Sequence, residues 1–155
     1  MSERLIGQII DNYYRVLDLD DSDDKEKRWM VARFSGDANG LTTLCYHLLD
    51  FIWRHPGVNG KLICEQADLL QGTVSKVINR LIRKQLVCVQ TVEEDKRGRY
   101  YKLTDSGQEL AAIHAQMHRL KDKKIEAILN QFDASELVTI AAFIKKMATF
   151  EQLPL

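Results

Sequence analysis

At 155 residues, with 45% hydrophobic and 28% charged side chains and a formal net charge of zero, the chain fits one globular unit, residues 1–155. No apolar run nears the ~18 residues that span a bilayer, and Gln8 and Asp11 interrupt the stretch a signal peptide would keep apolar, which points to the cytoplasm. Cys45, Cys64 and Cys88, an odd set without a CxxC, argue against a disulfide framework or a zinc ribbon.

In chain order, the spacing of Leu5, Ile6, Ile9, Ile10, Tyr13, Val16 and Leu17 predicts a first amphipathic helix over 5–17. An acidic stretch, Asp18 to Asp24, and then Lys25-Glu26-Lys27-Arg28 read as a solvated connector. A calcium loop is rejected there, because Asp23 stands where the loop needs Gly and Trp29 where it needs Glu. Residues 29–34 are apolar without a clear period, and Ser35 to Gly40 is a break. A second helix is expected over 41–54, stopped by His55-Pro56-Gly57, and a short one over 61–68.

The stretch 71–84 predicts a helix with Val74, Val77, Ile78 and Leu81 inward and Thr73, Ser75, Lys76, Asn79, Arg80 and Arg83 on the other face. Alternation over 86–92 predicts a strand, 93–98 a charged turn, and 99–103 a second strand completing a hairpin. Thr104 or Asp105 caps a long helix to about 131, and Asp133-Ala134-Ser135-Glu136 has the form of a capping box opening a last helix.

Zero net charge hides a pattern. Residues 71–102 carry eight basic and three acidic side chains, a net +5, the footprint of a polyanion site. Helix, short helix, turn, polar-faced helix and hairpin make a winged helix-turn-helix, so the expected class is mainly α with a small β-hairpin wing. A helix suits the major groove, where base edges present a full donor and acceptor code. Thr73 and Ser75, small polar residues near the helix start, let the backbone approach, Lys76 and Asn79 can reach bases, and Arg80, Arg83 and Lys84 either balance phosphates or solvate the helix. Lys96, Arg97 and Arg99 at the hairpin are long cations suited to the minor groove or its phosphates.

Residues 72–104 resemble the DNA-binding core of the MarR family of bacterial transcription regulators. The resemblance rests on Asp95-Lys96-Arg97-Gly98 followed by Leu103-Thr104 and Gly107, with Leu41-Thr42, Val74-Ser75-Lys76, Leu81 and Leu86-Val87 in the helical frame. It implies a winged helix-turn-helix over 41–104, helical dimerisation segments over 1–20 and 105–155, and a homodimer on an inverted-repeat operator in double-stranded DNA. Arg97 would enter the minor groove with Asp95 holding it, while Thr73, Ser75, Lys76 and Asn79 face the major groove. Two positions depart from the family pattern. Gln85 stands where a left-handed Gly often follows the recognition helix, and Leu70 where an Asp or Ser often caps it.

Smaller signals refine this reading. Family members bind small aromatic or phenolic effectors between the dimer helices and the winged domain, so Tyr13, Tyr14, Tyr46, His47 and Trp53 are candidates either for such a pocket or for core packing. His114 and His118, four apart on one helix, are weak zinc candidates that fall short of a ligand set. The three cysteines sit among apolar neighbours and read as core. No phosphate loop, nucleophile elbow or paired carboxylates suggest an enzyme, and no cofactor is expected. The expected function is a homodimeric repressor released by a small ligand. The alternatives are a winged-helix protein-interaction module without DNA binding and a zinc- or thiol-responsive repressor.

Overall fold

The computed structural model describes residues 2–18, 23–93 and 95–150. The chain divides into two compact units, residues 1–117 and 118–155. In chain order the elements are α1 (Ser2–Asp18), α2 (Asp23–Val31), α3 (Thr43–Arg54), β1 (Val58–Asn59), α4 (Gly60–Ala67), α5 (Gln71–Arg83), β2 (Val87–Val92), β3 (Asp95–Leu103), α6 (Asp105–Leu129) and α7 (Ala134–Phe150). The strands form one antiparallel sheet in the order β1-β3-β2, with Val58 and Val89 both opposite Tyr101.

The first unit has its core where the apolar periodicity places it. Leu48, Leu49 and Ile52 of α3, Ile63 of α4 and Ile78 and Leu81 of α5 are fully buried, together with Leu86 and with Leu110 of α6. The four inward residues expected on α5 are all buried. Helix α1 is different: Leu5, Ile6, Ile9, Ile10, Tyr14 and Val16 all remain exposed. In the second unit, α7 opens on a complete capping box. Asp133 Oδ1 accepts the Glu136 N–H at 2.9 Å, and Glu136 Oε2 accepts the Asp133 N–H at 2.8 Å. The Glu136 N–H, and next the Ser135 hydroxyl, hold the Asp133 carboxyl below its usual range. No residue of α7 is buried.

Three expectations change. Residues 25–28 are not a connector but part of α2, a helix whose charged run gives no apolar period to recognise. The calcium-loop stretch lies partly in residues 19–22, outside the described residues. The charged turn of the hairpin is shorter than expected, because Asp95 to Gly98 already belong to β3, with Val92 opposite Asp95. The hairpin also gains a third strand, β1, whose two residues are too few to display alternation.

The end of α5 explains the Leu-Thr-x-x-Gly spacing. Gln85 takes the left-handed conformation, φ 57°. Its N–H donates to Ile82 O at 2.9 Å and the Leu86 N–H to Leu81 O at 2.9 Å, the paired bonds of a Schellman motif. Thr104 then joins wing to helix. Its hydroxyl donates to Gln85 O at 2.6 Å and accepts the Gly107 N–H at 3.0 Å. Its own N–H donates to Leu86 O at 3.0 Å. A Cβ at Gly107 would collide with that same Leu86 carbonyl oxygen and lie 2.9 Å from its carbon.

Two substitutions should therefore move stability in opposite directions. Gln85→Gly relieves left-handed strain and should raise stability by about 1 kcal/mol, whereas Gly107→Ala should cost ~1–3 kcal/mol because backbone must yield. Urea melts of the two variants check both signs. Equal effects would place the constraint elsewhere.

Candidate nucleic-acid interface

Helix α5 is fixed from behind by its buried stripe, which leaves Ser75, Lys76, Asn79 and Arg83 exposed and Thr73 half-buried. Asp68, at the end of α4, is left-handed with φ 50°, a conformation Asp tolerates, and it turns the chain toward α5. Asn59 caps α4, its side chain accepting the Leu62 N–H at 2.9 Å. A cleft of about 590 Å³ lies between α4, α5 and β3, lined by Lys61, Glu65, Ser75, Arg99 and the half-buried Cys64 among others. Cys64 packs against the core that holds the buried Cys45, and Cys88 is also only half-buried. Lys61 stands in the first turn of α4, outside the run of residues 71–102 that carries the net +5.

The cations of α5 divide into two groups. Arg80 is half-buried and its Nη1 donates to Gly40 O at 3.1 Å. Lys84 pairs with Asp37, and the Lys84 hydrogen bond holds the Asp37 carboxyl below its usual range. These two fasten the loop of residues 35–40, so within the chain they serve the scaffold. Glu109 on α6 fastens the same loop, accepting the Ser35 hydroxyl at 2.6 Å and its N–H at 3.0 Å. Those bonds, the hydroxyl first, hold the Glu109 carboxyl below its usual range.

The wing depends on one carboxylate. Asp95 Oδ1 accepts the N–H groups of Arg97 at 3.1 Å and Gly98 at 2.9 Å, and Oδ2 accepts the Tyr100 hydroxyl at 3.1 Å. Asp95 thus holds the backbone that carries Arg97, and the Arg97 and Arg99 side chains are exposed. A Cβ at Gly98 would collide with the Asp95 carboxylate and sit 2.6 Å from the Tyr100 ring, so both side chains would have to shift to admit one. Lys96 belongs to β3, and its side chain lies outside the described residues.

The aromatic candidates do not gather into one cavity. Tyr46 is buried and stacks on His114 at 5.5 Å between ring centroids, and it lines a cavity of about 420 Å³ with Lys27, Arg28 and Leu41. His47 is exposed on the same helix, its ring 6.4 Å from that of His114. Tyr13 and Tyr14 touch each other on α1, and Trp53 is 41% exposed. His114 is buried in the first unit, and His118 is exposed in the second. Among the described residues no cluster of three or more His, Cys, Asp or Glu is placed to hold a metal ion. No described helix is long and apolar enough to cross a membrane.

Residues 39–98 match the family model described as MarR family. That match takes in most of the winged helix and less than half of the chain. An uncharacterised HTH-type transcriptional regulator of Bacillus subtilis, YvnA, is 29% identical over 97 residues, 63% of this chain. That match spans about three fifths of YvnA, 62% of its length. The HTH-type transcriptional regulator PchR of the same organism is 22% identical over 158 residues, covering 96% of this chain and 90% of PchR. In fold, the chain is similar to Streptococcus pneumoniae FabT in complex with DNA, with a TM-score of 0.66, 18% identity and 98% of each chain covered. The MarR family is one of transcription regulators, and the reading of this chain as a regulator type rather than an enzyme agrees with these relatives.

Two measurements test the site's internal supports. Asp95→Ala should leave the melting temperature within the small range of exposed substitutions while loosening the wing, seen as faster amide exchange at Arg97 and Gly98. Unchanged exchange would mean that Asp95 is not the anchor. Asp37 and Glu109, whose carboxyls are held low, stabilise the fold fully above the unfolded carboxylate pKa of about 4, and that support is lost as pH falls through their folded values. Asp37→Asn with Glu109→Gln should flatten the acid limb of the curve of melting temperature against pH; an acid limb as steep as that of the unsubstituted protein would remove these carboxylates from the account.

Proposed function

We propose that this chain is a sequence-specific, DNA-binding transcription regulator that acts as a homodimer, a repressor released by a small ligand. One observation carries the reading: an exposed face of α5, with Ser75, Lys76, Asn79 and Arg83, sits beside a wing whose backbone is pinned so that Arg97 and Arg99 project. Thr73, Ser75, Lys76 and Asn79 read the major groove. Arg97 and Arg99, with Lys96, engage the minor groove or its phosphates, and Arg83 adds a backbone contact. Arg80 and Lys84 act through the loop they fasten. The exposed apolar faces of α1 and α7 support dimerisation, since a helix with a broad apolar stripe needs a partner surface. Residues 41–104 form the DNA-binding part, and 1–20 with 105–155 the dimerisation part. The stacking of Tyr46 on His114 favours an aromatic role in packing, with the neighbouring cavity as the candidate ligand site.

Selection of bound duplexes from a random pool should enrich an inverted repeat with half-site centres about 10–10.5 bp apart or a multiple. Arg97→Ala should weaken binding most where the flanks are A·T-rich, and lower the salt slope by about one. Light scattering at micromolar protein should report a dimer. A protein that enriches no duplex at low salt would instead be an interaction module.

A further inference from the structure

The start of α5 breaks two rules of helix construction at once. Leu70 occupies the N-cap position with extended backbone, φ −67° and ψ 141°, and offers no side-chain capping bond. Ser, Thr, Asp or Asn would satisfy an orphan N–H there. Leu70 is also the most exposed large apolar side chain among the described residues, at 80%. Two residues on, Gly72 stands inside the first turn, where Gly opposes helix formation. A Cβ at Gly72 would have no atom within 4 Å, so no neighbour in the chain requires its absence. The fold asks for neither residue, and both lie at the end of α5 that a helix-turn-helix presents to base edges.

We propose that Leu70 is a specificity residue that reads a thymine in the major groove, with its isobutyl group against the C5-methyl, and that Gly72 lets the first turn of α5 approach the groove closely. This rests on the reading of α5 as the DNA-reading helix. The thymine methyl is the apolar feature of the major-groove code. Beside Leu70 in the first turn of α5, Val74 faces the core, and the residues left at the surface, Gln71 and Thr73, are polar and suit the surrounding acceptors rather than an apolar protein surface. A Leu left at 80% exposure in the free protein gains most when such a methyl covers it.

The test uses the full chain and a duplex selected by the unsubstituted protein from a random pool. Each dT is replaced singly by dU, which removes only the methyl. One dT per half-site should cost the unsubstituted protein roughly fourfold in affinity, the worth of one methyl group. Leu70→Ser should bind the dT duplex correspondingly less tightly and show no further loss on dU, while its melting temperature is equal or higher. Leu70→Ala, which adds no cap, should show the same indifference to dU. Gly72→Ala should raise the melting temperature and weaken binding to the selected duplex. Wild-type affinity in Leu70→Ser, or a dU penalty equal to that of the unsubstituted protein, would overturn the assignment to Leu70, and unchanged binding in Gly72→Ala would overturn that to Gly72. A protein that enriches no duplex overturns the regulator reading itself, whereas a selected duplex without a Leu70-dependent dT overturns only this inference.

Discussion

The Leu86 carbonyl is the point on which the DNA-facing geometry depends. It accepts the Thr104 N–H, and Gly107 packs so close to it that any Cβ would collide. Thr104 spans the same junction through its hydroxyl, donating to Gln85 O and accepting from Gly107. The end of α5, the entry to β2, the exit of β3 and the start of α6 therefore meet within a few backbone atoms. Leu81, Leu86 and Leu110 are fully buried around the junction, and Leu103 is buried beside them. Such a junction has little freedom to hinge, because opening it exposes backbone polar groups as well as apolar side chains. The pose of the wing relative to α5 is a property of the folded unit. The left-handed strain at Gln85 is the cost of that turn, and the paired Schellman bonds offset it.

Charge follows a similar division between scaffold and surface. The net +5 of residues 71–102 treats its eight cations as equivalent, and the structure does not. Arg80 and Lys84 are bound to the 35–40 loop, and Glu109 fixes that loop from α6. Among the described side chains the exposed cations of this stretch are Lys76 and Arg83 on α5 and Arg97, Arg99 and Lys102 on β3. An exposed ion pair contributes little to stability by itself. Three attachments on one short loop act together, since each reduces the entropy the next must remove.

What was legible in the sequence had a local cause. The stripe Val74, Val77, Ile78 and Leu81 announces α5 because a helix repeats every 3.6 residues, and the 133–136 box is visible because its two bonds lie within one turn. Asp95 was legible as a wing residue, but its actual partners, two N–H groups and the Tyr100 hydroxyl, follow only from the backbone path. Strand β1 was hidden because two residues cannot show alternation. Helix α2 was hidden because its charged run lacks an apolar stripe. The Ser35–Glu109 contact joins residues 74 apart, and no pattern in either segment points to the other. The five aromatic candidates share a chemistry but not a place. Composition selects residue types, while only topology gathers them.

Helices α1 and α7 pose the remaining physical question. Among the described residues the buried core of the first unit runs from Met30 to Met117 and includes none from α1, and α7 buries none of its own. Their apolar side chains cost solvation in an isolated chain, which is the condition that a second copy relieves. In a dimer of the kind proposed, regulation has a restricted route. The junction at Leu86 keeps wing and recognition helix in one pose, so a ligand gains little by acting inside that junction. The variable left is the separation of two such rigid readers, which must meet half-sites in register. A ligand shifts that separation only by binding one arrangement of the dimer helices more tightly than the other, and by linkage DNA then disfavours the ligand by the same factor. In that proposed dimer, rigidity within the reader would place control in the helices outside it, the same helices whose apolar faces are exposed in the single chain.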